Sequence, residues 1–197
     1  MSTAKRILFI DRDGTLIHEP VLGNIDDWSK LEFYPHVFKY MNLIATEFNY
    51  ELAMVTNQDG LGTTYFPSEH FWPIHNFVIH AFENEDVFFS GVYIDPSLKE
   101  EKSPNRKPRI GMVKHYVDNP EYDLQHSFVI GDRITDVQFA KNLGCKAIWL
   151  NNHPGLGLKE IENTEEELRA TALALETKHW KDVYEFLKGQ ELSAETG

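Results

Sequence analysis

Two aspartates directly behind a short apolar run restrict this chain more than any other feature. Ile7-Leu8-Phe9-Ile10 has the length of a strand and no polar residue, and Asp11-Arg12-Asp13-Gly14-Thr15 follows it at once. Such a run reads as a buried strand, and its polar sequel then falls at the strand's carboxyl end, where open α/β sheets bind ligands. Asp11 and Asp13 stand two apart in extended chain and so point to the same side, while Gly14 lets the backbone turn sharply behind them. Paired acids in a cleft suit metal or phosphate chemistry. Taken alone, an Asp-x-Asp is equally well read as a polar strand end with an Asx turn.

The rest of the chain repeats this arrangement. Leu52-Ala53-Met54-Val55 runs into Thr56-Asn57-Gln58-Asp59-Gly60, and Phe128-Val129-Ile130 runs into Gly131-Asp132-Arg133, with Asp136 just beyond. Arg106-Lys107-Pro108 follows a loop after Val87-Phe88-Phe89. Between these runs, helical spacing places helices from about Pro35 (apolar face Val37, Phe38, Met41, Leu43, Ile44) and from Pro67-Ser68 (Phe71, Ile74, Phe77, Val78, Ala81, Phe82). Further strands are expected near 87–94, 127–130 and 146–150, and helices near 109–117 and 134–143. Glu165–Leu175 and Trp180–Leu187 read as terminal helices, and 189–197 as a flexible tail. The alternation predicts an α/β fold, a doubly wound and mostly parallel sheet with helices on both faces. One domain over residues 1–188 is expected, with small loop insertions after the first and second strands as candidates for a lid. In a parallel sheet the strand ends share one edge, so the four polar clusters can converge.

Composition narrows the function classes. A formal net charge of −12 opposes nonspecific attraction to nucleic acid or anionic lipid, so neither partner is expected. A phosphorylated substrate then needs locally concentrated positive charge. The lone Cys145 excludes an intrachain disulfide, and no apolar stretch approaches the roughly 20 residues of a membrane span. A cytoplasmic location is expected, because Met-Ser-Thr-Ala-Lys-Arg leads into a short strand and not into a signal-peptide core.

Together the motifs Phe-Ile-Asp-Arg-Asp-Gly-Thr-Leu, Thr-Asn-Gln-Asp-Gly-Leu-Gly-Thr, Phe66-Pro67, Arg-Lys-Pro and Val-Ile-Gly-Asp-Arg closely resemble the haloacid dehalogenase superfamily of phosphohydrolases. Within it the nearest branch is the histidinol-phosphate phosphatases. The likeness covers roughly residues 5 to 150, and the joint order of the motifs is far more specific than any one of them. It implies a Rossmann-like fold, with Asp11 as nucleophile forming an aspartyl-phosphate and Asp13 as general acid toward the leaving alcohol, then general base for water. Thr56, Asn57 and Lys107 would bind the phosphate, while Glu19, Gln58 and Asp59 would meet the substrate's polar groups. A phosphate dianion beside two acids requires an intervening cation, and hard carboxylate oxygens favour Mg²⁺. The expected ligands are Asp11, the backbone carbonyl of Asp13, and Asp132, with Asp136 orienting a metal-bound water or Arg133.

The same resemblance implies a place in histidine biosynthesis, in a chain either free-standing or fused to, or associated with, imidazoleglycerol-phosphate dehydratase. The runner-up is a heptose-bisphosphate or other small sugar-phosphate phosphatase; a phospho-accepting receiver or silent binding module is the non-enzymatic alternative. Many relatives carry a zinc loop reading Cys-x-His then Cys-x-Cys before Arg-Lys-Pro. The matching positions here are Asp95, Ser97, Ser103 and Asn105, so no structural zinc is expected and turns and packing must hold the loop. His70, His75 and His80 recur every five residues, which spreads them around a helix and forms no ligand face.

Overall fold

The computed structural model describes residues 4–20 and 24–195, with side chains described through residue 192. Strands β1 (Arg6–Ile10), β2 (Tyr50–Asn57), β3 (Gly91–Asp95), β4 (Phe128–Gly131), β5 (Lys146–Leu150) and β6 (Leu173–Thr177) form one parallel sheet in the order β3-β2-β1-β4-β5-β6. The chain winds outward in one direction from β1 to β3, then returns beside β1 and winds the other way. The point of reversal lies between β1 and β4, the place where such sheets open a crevice for ligand.

Helices α1 (Val37–Glu47), α2 (Ser68–Glu83), α3 (Lys114–Val117), α4 (Ile134–Leu143), α5 (Glu165–Thr171) and α6 (Trp180–Glu195) cover both faces. Alternate strand residues enter opposite cores, as the two-residue strand period requires. Leu8, Ile10, Leu52, Met54 and Ile130 pack with α1, α2 and α6, whereas Ile7, Phe9, Ala53, Val55 and Val129 pack with α3, α4 and α5. Burial on both faces explains why β1 reads as an unbroken apolar run: Ile7 to Ile10 are all 0% exposed.

Four elements differ from the sequence expectation. The helix expected over 165–175 stops at Thr171, and Leu173–Thr177 instead forms the edge strand β6, pairing Ala147 with Leu173 and Leu150 with Thr177. Leu-Ala-Leu suits either state, and main-chain pairing with β5 decides it, a tertiary effect that local propensity does not contain. The third strand begins at Gly91, because Val87 ends the α2 turn by donating its backbone N–H to Phe82 O at 3.0 Å. The stretch 109–117 is a 3₁₀ turn, Gly111–Val113, followed by the four residues of α3. Helix α6 continues past Leu187 to Glu195, so the expected tail is helical over 189–195; residues 196 and 197 lie outside the described residues. Glu191 within that extension accepts a 2.9 Å hydrogen bond from Arg6 of β1. On α2, Phe71, Ile74, Val78 and Phe82 are buried as expected, but Phe77 is 47% exposed and meets Trp28 edge-on. No helix among the described residues is long and apolar enough to cross a membrane.

Candidate active site

The reversal between β1 and β4 puts Asp11 and Asp132 at adjacent strand ends, because each follows its strand directly. The Asp11 backbone N–H still bonds to Ile130 O at 2.9 Å, extending the ladder by one residue into the site. Gly14 makes the close approach possible. Its φ of +79° belongs to the left-handed region, and a Cβ there would lie 2.2 Å from Asp132 Oδ2. Behind Asp132, Trp149 Nε1 donates to its carbonyl at 2.8 Å and fixes the backbone.

Carboxylate oxygens of Asp11, Asp132 and Asp136 lie within 4.8 Å of one another, all three residues being buried. Neither Asp132 oxygen has a hydrogen-bond partner although the residue is 0% exposed. Two orphaned acceptors in a buried carboxylate are costly unless a cation meets them, and an all-oxygen donor set fits a hard divalent ion. Burial pushes the Asp132 carboxyl well up, reinforced by Asp11 and Asp136. Asp11 is pushed up to about 7, chiefly by burial, with Lys107 opposing the shift and Asp136 and Asp13 adding to it. Lys107 answers this crowding: Nζ lies 2.9 Å from Asp11 Oδ1 and 2.8 Å from Asp136 Oδ1. Burial alone would lower its pKa, but the attraction of Asp11 and Asp136 outweighs that and raises it. Asp11 Oδ1 also accepts from the Arg12 backbone N–H at 2.8 Å, whereas Oδ2 takes no bond among the described residues.

The expected residues meet around one cavity of about 270 Å³, lined by Asp11, Asp13, Glu19, Thr56, Asn57, Gln58, Asp59, Lys107 and Asp136. Both loop insertions contribute to its wall, through Pro20 and Asn24 after β1 and Tyr65 after β2. Several side chains have partners other than those the sequence suggested. The Asn57 amide is engaged by the Lys107 backbone, donating to its carbonyl at 3.1 Å and accepting from its N–H at 3.0 Å, so it fixes the lysine in place. Asp136 does meet Arg133, the partner the sequence suggested, by accepting from its backbone N–H at 3.1 Å, and in addition sits among the inner carboxylates with Lys107. Glu19 pairs with the Arg133 guanidinium, and Asp59 with Arg106. Gln58 donates to Asp13 and Thr56. Asp136 with Arg133 and Gln58 with Thr56 are close in the chain, but no local pattern announces the others, which join loops far apart.

At the zinc-loop positions, Asp95 Oδ1 accepts from the Ser97 N–H at 2.9 Å and from the Ser97 hydroxyl, and Oδ2 accepts from Ser103 Oγ at 2.8 Å. Ser103 Oγ in turn accepts from the Asn105 N–H at 3.1 Å. A buried carboxylate thus gathers the loop, rather than turns and packing alone. Asp95→Ala should cost about 3 kcal/mol by stranding these donors, and should expose 96–105 to proteolysis; an unchanged urea midpoint with unchanged protease resistance would show the loop is held by something else.

Comparison with known proteins agrees with this geometry. The family model for haloacid dehalogenase-like hydrolases matches residues 104–155. The histidine biosynthesis bifunctional protein HisB of Bacteroides fragilis is 48% identical over 192 residues, 97% of this chain and 50% of that protein. The protein of the same name from Spirosoma linguale is 46% identical over 189 residues, 93% of this chain and 49% of its own. The chain therefore spans about half the length of these curated relatives. Among solved structures, D,D-heptose 1,7-bisphosphate phosphatase from B. bronchiseptica, complexed with magnesium and phosphate, has a TM-score of 0.73 at 20% identity and covers 94% of this chain and 99% of that one. A HAD-superfamily hydrolase from Geobacter sulfurreducens gives 0.56 at 11% identity, covering 94% and 97%. At such identities the shared property is the fold. This chain is therefore similar over nearly its whole length to the HisB proteins and, over residues 104–155, to the haloacid dehalogenase-like hydrolases, and its motif clusters gather at the crevice of the fold it shares with the solved structures.

Proposed function

We propose that this chain is a magnesium-dependent phosphomonoester hydrolase that acts on histidinol phosphate through an aspartyl-phosphate on Asp11. The observation that supports it most is the convergence of Asp11, Asp132 and Asp136 around Lys107, with both Asp132 oxygens unpartnered. Asp11 and Asp132, with the Asp13 backbone carbonyl, are the proposed metal ligands, and Asp136 adds a third carboxylate beside them. When bound, the ion supplies positive charge that offsets the repulsion between these acids and a phosphate dianion.

Asp11 attacks phosphorus through its free oxygen as the P–O bond to the leaving alkoxide breaks, and Asp13 passes a proton to that alkoxide. Asp13 then takes a proton from water, which attacks the acyl-phosphate and releases Asp11 and inorganic phosphate. Lys107 and the Thr56 hydroxyl neutralise and orient the phosphoryl oxygens. Asn57 acts at one remove, by holding Lys107. Glu19 is proposed to attract the substrate ammonium, which would compete with Arg133 for it, and Asp59 would face the polar end of the ligand from its pair with Arg106.

A monophosphate suits this cavity better than a bisphosphate. Its cations are Arg106, Lys107 and Arg133, and each is already paired with an acid, so a second phosphate would find no uncommitted partner. The identity to the HisB proteins supports a role in histidine biosynthesis, a cytoplasmic site of action, and fusion to or association with the dehydratase of that pathway. Phosphate release should be fastest with histidinol phosphate across a panel that includes a heptose bisphosphate and simple sugar phosphates. It should stop in EDTA and return with Mg²⁺. Faster release from the bisphosphate would overturn the substrate, full activity in excess chelator would overturn the metal, and no release from any ester would leave a binding module.

A further inference from the structure

Asp13 is held at both carboxylate oxygens. Oδ1 pairs with Nη1 of Arg12, and Oδ2 accepts from Gln58 Nε2 at 2.7 Å. The same Gln58 nitrogen donates to Thr56 Oγ1 at 2.9 Å. Neither donor is loosely placed. Gln58 is 2% exposed and its backbone N–H bonds to Asp95 O at 2.8 Å, just past the end of β2. Arg12 is 0% exposed, and its guanidinium carbon lies 5.2 Å from the centroid of the Phe71 ring on α2.

Arg12 is also poorly satisfied. Its Nε and Nη2 have no hydrogen-bond partner, nor does Nδ1 of His75, whose ring stacks on Phe71 at 5.0 Å. A buried guanidinium with two idle nitrogens is destabilising in itself. Among the described residues, Asp13 is the acid it pairs with, and the pair occupies the turn between the two motif aspartates. Arg12 holds Oδ1 with a charged donor, which favours the anionic oxygen on its side, whereas Gln58 holds Oδ2 with a neutral amide donor and leaves it a second lone pair. A proton on Asp13 is therefore better placed on Oδ2, the oxygen held by Gln58.

We propose that Arg12 and Gln58 are positioning residues that clamp Asp13, presenting Oδ2 as the proton-carrying oxygen and tying it to the phosphate-facing Thr56. The assignment rests on Asp13 being the acid and base of the reaction proposed above. Gln58 then acts through Asp13 and not as a contact for the substrate's polar groups. In the first half-reaction the proton leaves Oδ2 for the alkoxide as the P–O bond breaks; in the second, Oδ2 takes it from water as the new P–O bond forms.

Leaving-group dependence of the first half-reaction, read as release of the alcohol in single turnovers, tests the clamp, because an alkoxide needs that proton and p-nitrophenolate hardly does. Gln58→Met, close in volume, should slow alcohol release from histidinol phosphate by about 10–100-fold, leave KM within about 2-fold, and change release of p-nitrophenol in the first turnover little, while the later water step, common to both esters, slows alike for the two. Gln58→Asn, polar but one carbon too short, should give the same split and serves if the methionine variant misfolds. Asp13→Asn, run in parallel, should show a larger split in the same sense, roughly 10²–10⁴-fold on the alkyl ester. Equal losses of first-turnover release on both esters in the Gln58 variants, or a raised KM on histidinol phosphate alone, would overturn the clamp while the Asp13 split leaves the acid–base assignment standing. An Asp13 variant whose first-turnover release falls equally on both esters would overturn that assignment and the clamp with it.

Discussion

Asp11→Asn should abolish phosphate release and leave the fold intact. The side chain keeps its size and its backbone keeps the bond to Ile130 O, so the β1–β4 ladder continues as before. What is lost is the proposed nucleophile: an amide oxygen is a poor attacker of phosphorus and cannot form the acyl-phosphate. Loss of a covalent nucleophile in other hydrolases lowers turnover by on the order of 10⁴–10⁶-fold. Burial raises the Asp11 carboxyl towards neutrality, and exchanging it for a neutral amide removes a desolvation penalty. The metal-free variant should therefore be at least as stable as the parent at pH 8. Stopped-assay phosphate release and a urea melt check both statements. Near-parental release by a folded Asp11→Asn protein would eliminate the aspartyl-phosphate route.

How much of this site could be read from the chain follows from how local each signal is. Asp11, Asp13, Thr56 and Asp132 stand at or near the ends of apolar runs, with Lys107 reached through a loop beyond the third, and a parallel sheet brings such ends to one edge whatever the details. All five meet at the site, four of them lining its cavity and Asp132 behind it among the carboxylates. The partners of Glu19, Asn57, Gln58 and Asp59 are another matter. Each bonds to a residue brought near by loop geometry, as Asn57 does with Lys107 fifty positions on, and nothing in the spacing specifies it. The sequence gives Arg12 no signal of burial, since a charged residue between two acids is compatible with solvent; its complete burial follows only from Phe71 of α2 packing against it. The edge strand β6 was hidden for a related reason, since its state depends on β5 and not on its own residues. Asp95 and the two serines show a third case. That these positions hold no Cys or His is legible in the sequence, but the hydrogen bonds that gather the loop depend on a buried carboxylate whose donors come from both ends of it.

Lys107→Met should damage both stability and turnover, with a pH dependence that separates the two effects. The ammonium lies between Asp11 and Asp136 at 2.9 and 2.8 Å and is 5% exposed. Methionine keeps much of the apolar stem but leaves three buried carboxylates facing one another. Breaking a buried ion pair from one side typically costs about 3–5 kcal/mol. Part of that cost depends on protons. With Lys107 present, Asp11 already titrates well above its ordinary value of 3.8, at about 7; without the opposing ammonium it must rise further. A raised carboxyl binds more protons in the folded state than in the unfolded one, so its contribution is neutral below the unfolded value, turns into a growing penalty as pH climbs from there, and is complete once pH has passed the folded value, which lies higher in the variant than in the parent. The deficit of metal-free Lys107→Met relative to the parent should therefore be larger at pH 8 than at pH 5.5 in paired urea melts. Added Mg²⁺ should recover much of the stability at pH 8, because a cation again meets the acids, but not the turnover, because the fixed charge on the phosphoryl oxygens is gone. A deficit equal at both pH values would mean that Lys107 acts through packing alone, and recovery of parental turnover with Mg²⁺ would remove it from phosphate binding.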